Sequence, residues 1–189
     1  MILASTYPYR RALLARLRLD FSVLGSGVDE SRLAGESPLG LATRLAHAKA
    51  RHIAAGRPDA WVVGSDQVAV RGEDILGKPG THARCIEMLR GSSGRTVTFL
   101  TAVAVVREAD AARHEFVDRT EVVFRNLEED TIARYVEAEE PLDCAGGFKS
   151  EGLGVALCKS IETRDPTALI GLPLLMLASV LRGVGYRIP

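Results

Sequence analysis

Apolar and polar positions along the chain switch repeatedly between short extended runs and helical stripes. The apolar residues 1–3 predict a short buried strand. The hydroxyl-rich turn before Pro8 predicts a helix with Leu13 and Leu17 on its apolar face, and residues 21–24 predict a second short strand. The same criteria predict later helices over 37–55, 81–89, 128–138 and 173–182.

The middle of the chain has the pattern of a sheet. Residues 60–64 predict a buried strand that ends at Ser65-Asp66-Gln67. Residues 68–70 continue extended to a turn, and residues 96–106 and 115–125 predict a long antiparallel pair. Because helices and strands mix without a strict βαβ repeat, we expect an α/β fold with a mixed, curved, partly antiparallel sheet.

The later part of the chain is less regular. Residues 141–154 are rich in glycine and predict an irregular segment, followed by short strands at 155–157 and 160–162. With 189 residues and no disordered linker or internal repeat, residues 1–189 suit one domain with two lobes around a cleft.

Composition excludes several classes of function. Basic and acidic residues number 24 each, so no overall field favours a nucleic acid polymer or an anionic membrane. The three cysteines show no CxxC spacing, which favours reduced thiols over a disulfide framework or a zinc site. The apolar segment 168–181 contains Gly171 and Pro173 and is too short to span a bilayer. We therefore expect a cytoplasmic protein with a small anionic ligand.

One phosphate-binding motif is only partly present. Residues 72–78 match the G-x4-G-K start of a P-loop, but Pro79 stands where Ser or Thr must hold magnesium. Proline has neither a hydroxyl nor a backbone N–H, and it disfavours helix at Lys78. The pattern excludes a P-loop enzyme.

Other residues are candidates for phosphate chemistry, each with a structural alternative. The segment 5–11 joins a hydroxyl-rich turn to a helix start with two arginines, which is a good anion cradle or a capped surface helix. Asp66 follows a buried strand, where a carboxylate can bind metal, accept a proton or simply cap a turn; Glu30 is a weaker candidate of the same kind. Lys49 on a core-facing stripe and Lys78 before proline each need a phosphate or a carboxylate partner.

Taken together, these motifs resemble the Maf family of nucleoside triphosphate pyrophosphatases over nearly the whole chain. No single motif is specific, but their order and spacing are. The segments that carry the resemblance are 2–5 with Pro8 and Arg10-Arg11, 28–30, 48–50, 64–67, 76–79, 91–94, 141–154 and 170–173.

The resemblance implies a two-lobed fold, like that of inosine triphosphatases, with its site in the cleft and a divalent cation such as magnesium, manganese or cobalt. By matching positions, Asp66 is the proton acceptor and, with Glu30, the metal-binding pair. The implied phosphate-binding residues are Ser5, Arg10, Lys49 and Lys78. One departure is Tyr7, where the family motif usually has serine.

Within the family, the chain is most similar to the YceF-like branch, which acts on 7-methyl-GTP. Residues 65–67 and 144–152 carry the similarity, and the residues implied in base specificity are Tyr9, Gln67 and Glu151. That branch typically has tryptophan where Tyr9 stands, whereas the dTTP and UTP branch tends to have Arg, Thr and Gln at these three positions.

Two alternatives remain open from the sequence. One is a dTTP and UTP pyrophosphatase, and the other is a nucleotide-binding regulator of cell division in which catalysis is not essential. The resemblance is also compatible with a homodimer. Loss of turnover with ligand binding intact in an Asp66 variant would separate an enzyme from a binding protein.

Overall fold

The structure is a computed structural model that describes residues 1–189. Its strands are β1 (Ile2–Leu3), β2 (Ser22–Val23), β3 (Val62–Arg71), β4 (Asp74–Leu76), β5 (Thr96–Arg107), β6 (Ala112–Phe124) and β7 (Cys158–Glu162). Its α-helices are α1 (Pro8–Ala15), α2 (Pro38–Ala55), α3 (His82–Ser92), α4 (Glu129–Glu139) and α5 (Leu174–Gly183). Short 3₁₀ segments lie at Ala145–Gly147 and Leu153–Leu157.

The seven strands form one mixed sheet, as the sequence predicts. Its order is β2-β1-β3-β5-β6-β7, with β4 paired to β3. Strand β1 is parallel to β2 and β3, whereas the pairs β3–β4 and β6–β7 are antiparallel. The mixed α/β class is therefore confirmed.

Local signals explain where the helices begin. Ser37 caps α2 because its Oγ accepts a hydrogen bond of 3.0 Å from Gly40 N, and Pro38 fills the first helical position. Thr81 caps α3 in the same way through Arg84 N. Pro8 opens α1 without a side-chain cap. These starts agree with the predicted ones.

The chain divides into two compact units. The first unit comprises residues 1–67, 101–118 and 165–189, and the second comprises residues 68–100 and 119–164. In the first unit, Leu3, Val63 and Val105 from the strands pack with helical residues such as Leu14 and Leu177 in one buried core. That core fixes the strand and helix ends that carry the candidate site.

The second unit has its own aromatic core. The ring of Phe148 lies 5.9 Å from that of Phe99 and 5.3 Å from that of Phe124, with edge-on or tilted geometry. Such contacts stabilise a core beyond area burial alone. Phe148 therefore anchors the glycine-rich segment that the sequence predicted as irregular.

Three details refine or correct the sequence predictions. Strand β3 runs without a break to Arg71, because β4 pairs with its second half, so the predicted strand and the predicted extended residues 68–70 are one strand. The turn predicted after residue 70 is present: it contains Gly72, with φ +63°, and the partial P-loop motif forms a β-hairpin. Residues 155–157 belong to a 3₁₀ segment rather than a strand, and Val155 is 58% exposed, so this apolar run is not a core strand.

Two further features concern disulfides and membrane spans. All three cysteines are buried and free of disulfides, as expected. No helix is long and apolar enough to cross a membrane.

Candidate active site

Two carboxylates meet one buried lysine in the first unit. Lys49 Nζ lies 2.6 Å from Asp66 Oδ1 and 2.7 Å from Glu30 Oε1. The side chains of Lys49 and Asp66 are 7% and 9% exposed, whereas that of Glu30 is 57% exposed. The expectation that Lys49 meets a carboxylate is confirmed, and the cluster joins a buried charge pair to an accessible acid.

A glycine brings the lysine and the aspartate side by side. Gly64 of β3 packs so tightly on α2 that an added Cβ would lie 2.2 Å from Ala46 O and 2.7 Å from Ala50 N. Any side chain would push strand and helix apart. The close approach places Asp66, two residues along β3, against Lys49 on α2.

The loop that carries Glu30 is anchored by an ion pair. Arg44 on α2 binds both carboxylate oxygens of Glu36, at 2.6 and 2.9 Å, and donates to Ser31 O at 2.9 Å. The Arg44 guanidinium is the main cause that lowers the pKa of Glu36 to about 2. The two hydrogen bonds between the Arg44 guanidinium and the Glu36 carboxylate fix the loop that brings Glu30 to Lys49.

The predicted anion cradle at the start of α1 contains a buried arginine. Arg10 is 9% exposed and Ser5 is 7% exposed. Ser5 Oγ accepts a hydrogen bond of 3.2 Å from Tyr7 N and lies 3.5 Å from Arg10 Nη1. The guanidinium also lies 5.6 Å from the centre of the Tyr7 ring, within range of a cation–π contact. The solvated surface helix is therefore excluded for Arg10.

Backbone carbonyls after Thr167 receive several buried donors. Gly171 O accepts hydrogen bonds from Arg10 Nε at 3.0 Å and Ser65 Oγ at 2.9 Å. Gln67 Nε2 donates to Ala168 O and Leu169 O, both at 3.0 Å. The amide nitrogen of Gln67 is thus engaged by the protein, which leaves its Oε1 as the atom with which it could contact a base.

Burial and charge act in opposite directions on the ionisable groups of this site. Burial raises the pKa of Asp66 above its ordinary value, and although the positive charges of Lys49 and Arg10 lower it, they do not cancel the effect of burial. Burial lowers the pKa of Arg10, which stays protonated at neutral pH. A carboxylate with a raised pKa is a better proton acceptor.

Lys78 lies in the second unit on a segment fixed at both sides. Gly146 N donates to Gly77 O at 3.1 Å, and Gly80 N donates to Leu142 O at 2.9 Å. The Lys78 side chain is exposed. Its assignment as a phosphate ligand rests on the resemblance.

The loop that carries Glu151 is held by α4. Glu139 binds Lys149 Nζ and Leu153 N, each at 2.6 Å, so one carboxylate fixes both ends of the loop. A Cβ added at Gly152 would lie 2.3 Å from Glu139 Oε2, so a larger residue there would displace the carboxylate that holds the loop. A second contact joins the loop to α4: the backbone N–H of Lys149 donates to Tyr135 Oη at 3.0 Å. Glu151 itself is exposed.

Tyr9 is half-buried on α1. Its ring centre lies 4.9 Å from that of Tyr7, and the two ring planes are inclined by 51°. This contact packs Tyr9 against the residue that caps the start of its own helix. It also orients a partly exposed aromatic ring, so the predicted role in base stacking stays a prediction.

Several supporting residues were missed from the sequence. Gly64 had a usable signal, because a glycine inside a strand often marks a close approach of backbone. No sequence signal marks Ser65 or Glu139, because their hydrogen-bond partners, Gly171 and Leu153, lie 106 and 14 positions away in the chain. Their contacts depend on tertiary packing.

Comparisons with known proteins agree with this architecture. The Ham1 protein of Staphylococcus aureus superposes with a TM-score of 0.56 over 97% of this chain and 98% of its own, at 17% identity, which defines the fold class. The family described as Maf-like protein matches residues 1–184. The chain belongs to the Maf family.

Curated relatives match along the full chain. A protein of Alkalilimnicola ehrlichii named 7-methyl-GTP pyrophosphatase is 55% identical over 98% of this chain and 94% of its own length. Proteins with the same name from Xanthomonas axonopodis and Pseudomonas aeruginosa are 53% and 51% identical, each over 100% of this chain and 98% of its own length. The predicted family is confirmed.

Proposed function

We propose that this protein hydrolyses a nucleoside triphosphate to the monophosphate and pyrophosphate, with 7-methyl-GTP as its preferred substrate. The observation that carries the proposal is the contact of Lys49 with both Asp66 and Glu30. It combines a carboxylate of raised pKa with fixed positive charge, as anhydride hydrolysis requires. Full-length relatives with the name 7-methyl-GTP pyrophosphatase support the choice of substrate.

The positive charges of the site serve the triphosphate. Lys49 and Arg10 are buried, and charges in a dry site stabilise a developing anion more strongly than charges in water. Ser5 and the exposed Lys78 complete the proposed phosphate-binding set. Together they hold the substrate and stabilise the charge that develops on the leaving pyrophosphate.

Asp66 is the proposed general base. Its carboxylate accepts a proton from a water molecule whose oxygen attacks the α-phosphorus. The bond from that phosphorus to the bridging oxygen breaks, and pyrophosphate leaves with both bonding electrons. A general base typically contributes about 10²–10⁴-fold in rate.

The residues present suit a divalent cation. Pyrophosphatase activity of this family implies such a cation, and Mg²⁺ typically binds through one or two carboxylates together with substrate phosphates. Glu30 and Asp66 provide two carboxylates on one lysine, and no cluster of three or more acidic, histidine or cysteine side chains is present. A cation held by Glu30 and Asp66 would neutralise phosphate charge, with Mg²⁺ the first choice and Mn²⁺ or Co²⁺ as alternatives.

Selectivity for the base is assigned to Glu151 and Tyr9. A carboxylate can accept two hydrogen bonds from the N1–H and N2–H₂ edge of guanine, whereas uracil and thymine offer one such donor. Methylation at N7 makes guanine cationic, which strengthens its attraction to a carboxylate and to an aromatic face. Gln67 can add a contact only through its Oε1.

The proposal is tested by a screen of nucleotides with the purified protein and Mg²⁺, with release of pyrophosphate as the signal. We expect turnover of 7-methyl-GTP to exceed that of GTP, dTTP and UTP. Absence of turnover with every nucleotide, despite measurable binding, would favour a binding protein. Sedimentation of the same sample tests the predicted homodimer, and cell fractionation tests the predicted cytoplasmic location.

A further inference from the structure

The side chains of Ser65, Gln67 and Thr101, all in the first unit, hold one backbone segment, residues 168–171. Thr101 Oγ1 donates to Ala168 O at 2.9 Å, and Gln67 Nε2 lies within 3.0 Å of three acceptors, including Thr101 Oγ1. Since a primary amide has two N–H donors, this network uses both of them. The network holds the start of the segment through side chains from β3 and β5.

The end of the same segment holds Arg10. Gly171 O accepts from Arg10 Nε at 3.0 Å and from Ser65 Oγ at 2.9 Å. Ser65 is 0% exposed, so no water replaces its hydroxyl. Gly171 has φ +123°, a conformation that disfavours any other residue, and an added Cβ would meet Arg10 Nε at 3.4 Å. The carbonyl is therefore in a fixed position.

A guanidinium held through Nε has a defined plane. Arg10 otherwise has rotamer entropy to lose when it binds a phosphate. The bond to Gly171 O fixes the orientation of the side chain before substrate arrives, which is preorganisation. The lower entropy cost and the fixed orientation of Arg10 both depend on the position of residues 168–171.

We propose that Ser65, Gln67 and Thr101 are positioning residues that orient Arg10 through the backbone of residues 168–171. On this account, the amide nitrogen of Gln67 holds residues 168–171, and its Oε1 is the atom left for a contact with the base. The proposal rests on the proposed function, because it assigns Arg10 to the phosphates.

A double-mutant cycle tests the proposal. Ser65→Ala and Thr101→Val are each made alone and together with Arg10→Ala, and kcat/KM is measured with 7-methyl-GTP and dTTP. We expect each single variant to lose about 10- to 100-fold with both nucleotides, as small misplacements do. In the Arg10→Ala background, the same substitutions should change kcat/KM by less than about twofold.

Two variants keep the result interpretable. Ser92→Ala removes another buried hydroxyl that donates to a carbonyl, Met88 O at 3.0 Å, and it should lower Tm without a change in kcat/KM. Thr101→Val removes the bond to Ala168 O with little change in volume, and it replaces Ser65→Ala if that variant does not fold. Calorimetry of pyrophosphate binding to the same variants gives the same double-mutant cycle without turnover.

Two outcomes would overturn the proposal while wild-type turnover is normal. One is a full effect of Ser65→Ala or Thr101→Val in the Arg10→Ala background. The other is a Ser65→Ala or Thr101→Val variant whose ratio of kcat/KM between 7-methyl-GTP and dTTP changes, since Arg10 is assigned to the phosphates that both nucleotides share. If the wild type turns over no nucleotide, the proposed function itself fails.

Discussion

Lys49 Nζ and Asp66 Oδ1 form an ion pair of 2.6 Å in which both side chains are less than 10% exposed. Burial raises the pKa of Asp66, and the adjacent ammonium limits the rise. Removal of either partner leaves the other charge buried without its main counterion, which is costly. The two residues therefore act as a unit in both catalysis and stability.

The first prediction concerns the pH dependence of Lys49→Met. Asp66 works as a base only when ionised, so kcat/KM falls as pH drops through its folded pKa, which lies above the ordinary value of 3.8. Loss of the Lys49 charge raises this pKa further, so the acid limb of the profile should move to higher pH. Lys49→Arg keeps the charge and should leave the limb nearly in place. An unmoved limb in Lys49→Met would remove Asp66 from the role of base.

The second prediction concerns Gly64→Ala. The new methyl group would lie 2.2 Å from Ala46 O, so strand and helix must separate. We expect a loss of about 1–3 kcal/mol of unfolding free energy, with reduced activity from the displaced Asp66. Gly183→Ala in α5 is the matched control, because nothing lies within 4 Å of its added Cβ. Urea unfolding of both variants measures the difference, and equal stabilities would refute the close approach.

The third prediction concerns acid stability. Glu36 has an ordinary pKa of 4.5 and a folded pKa of about 2, chiefly because it binds Arg44. A depressed carboxyl pKa adds stability at pH above the unfolded value, and this stability is lost as pH falls through the folded value. Unfolding free energy should therefore decline between about pH 4.5 and about pH 2. Glu36→Gln should decline less over that window, and identical slopes would count against the ion pair.

The sequence predicts the elements well where local signals decide them. Ser37-Pro38 and Gly56 define both ends of α2, and the stripe of Leu41, Leu45 and Lys49 correctly places the lysine on the buried face. The strand predicted over residues 155–157 was wrong, because a short apolar run has no distinctive period. Helix caps and long amphipathic stripes are local signals, whereas tertiary contacts decide whether residues 155–157 form a strand or a 3₁₀ turn.

The candidate site is predictable in part. The charged groups could be found from residue type and order, and the contacts of Glu30 and Asp66 with Lys49 agree with the expectation that this lysine meets a carboxylate. The supports could not, since the Gly171 carbonyl is a backbone group and the partners of the Glu139 carboxylate are brought to it by tertiary packing, which no residue pattern reveals. Gln67 is a mixed case: the resemblance implies a base contact, and because its nitrogen binds the loop, only its Oε1 is left to make one.

The fourth prediction concerns selectivity. Wild-type protein should have a higher kcat/KM for 7-methyl-GTP than for GTP, dTTP or UTP, because Glu151 offers an acceptor pair to guanine. Glu151→Gln combined with Tyr9→Arg should shift the preference towards pyrimidines. Steady-state kinetics on all four nucleotides measures the shift. A wild type that prefers dTTP or UTP would reject this assignment of the base and leave the pyrophosphatase proposal standing.

The fifth prediction concerns the bond that breaks and the role of Asp66, and it tests the central claim most directly. Phosphorus NMR follows 7-methyl-GTP with Mg²⁺ and either wild-type protein or Asp66→Asn. We predict 7-methyl-GMP and pyrophosphate in equal amounts from the first time points, and a rate at least about 10²-fold lower for Asp66→Asn with its fold intact. Early appearance of nucleoside diphosphate and inorganic phosphate, or near-normal turnover by Asp66→Asn, would contradict the account.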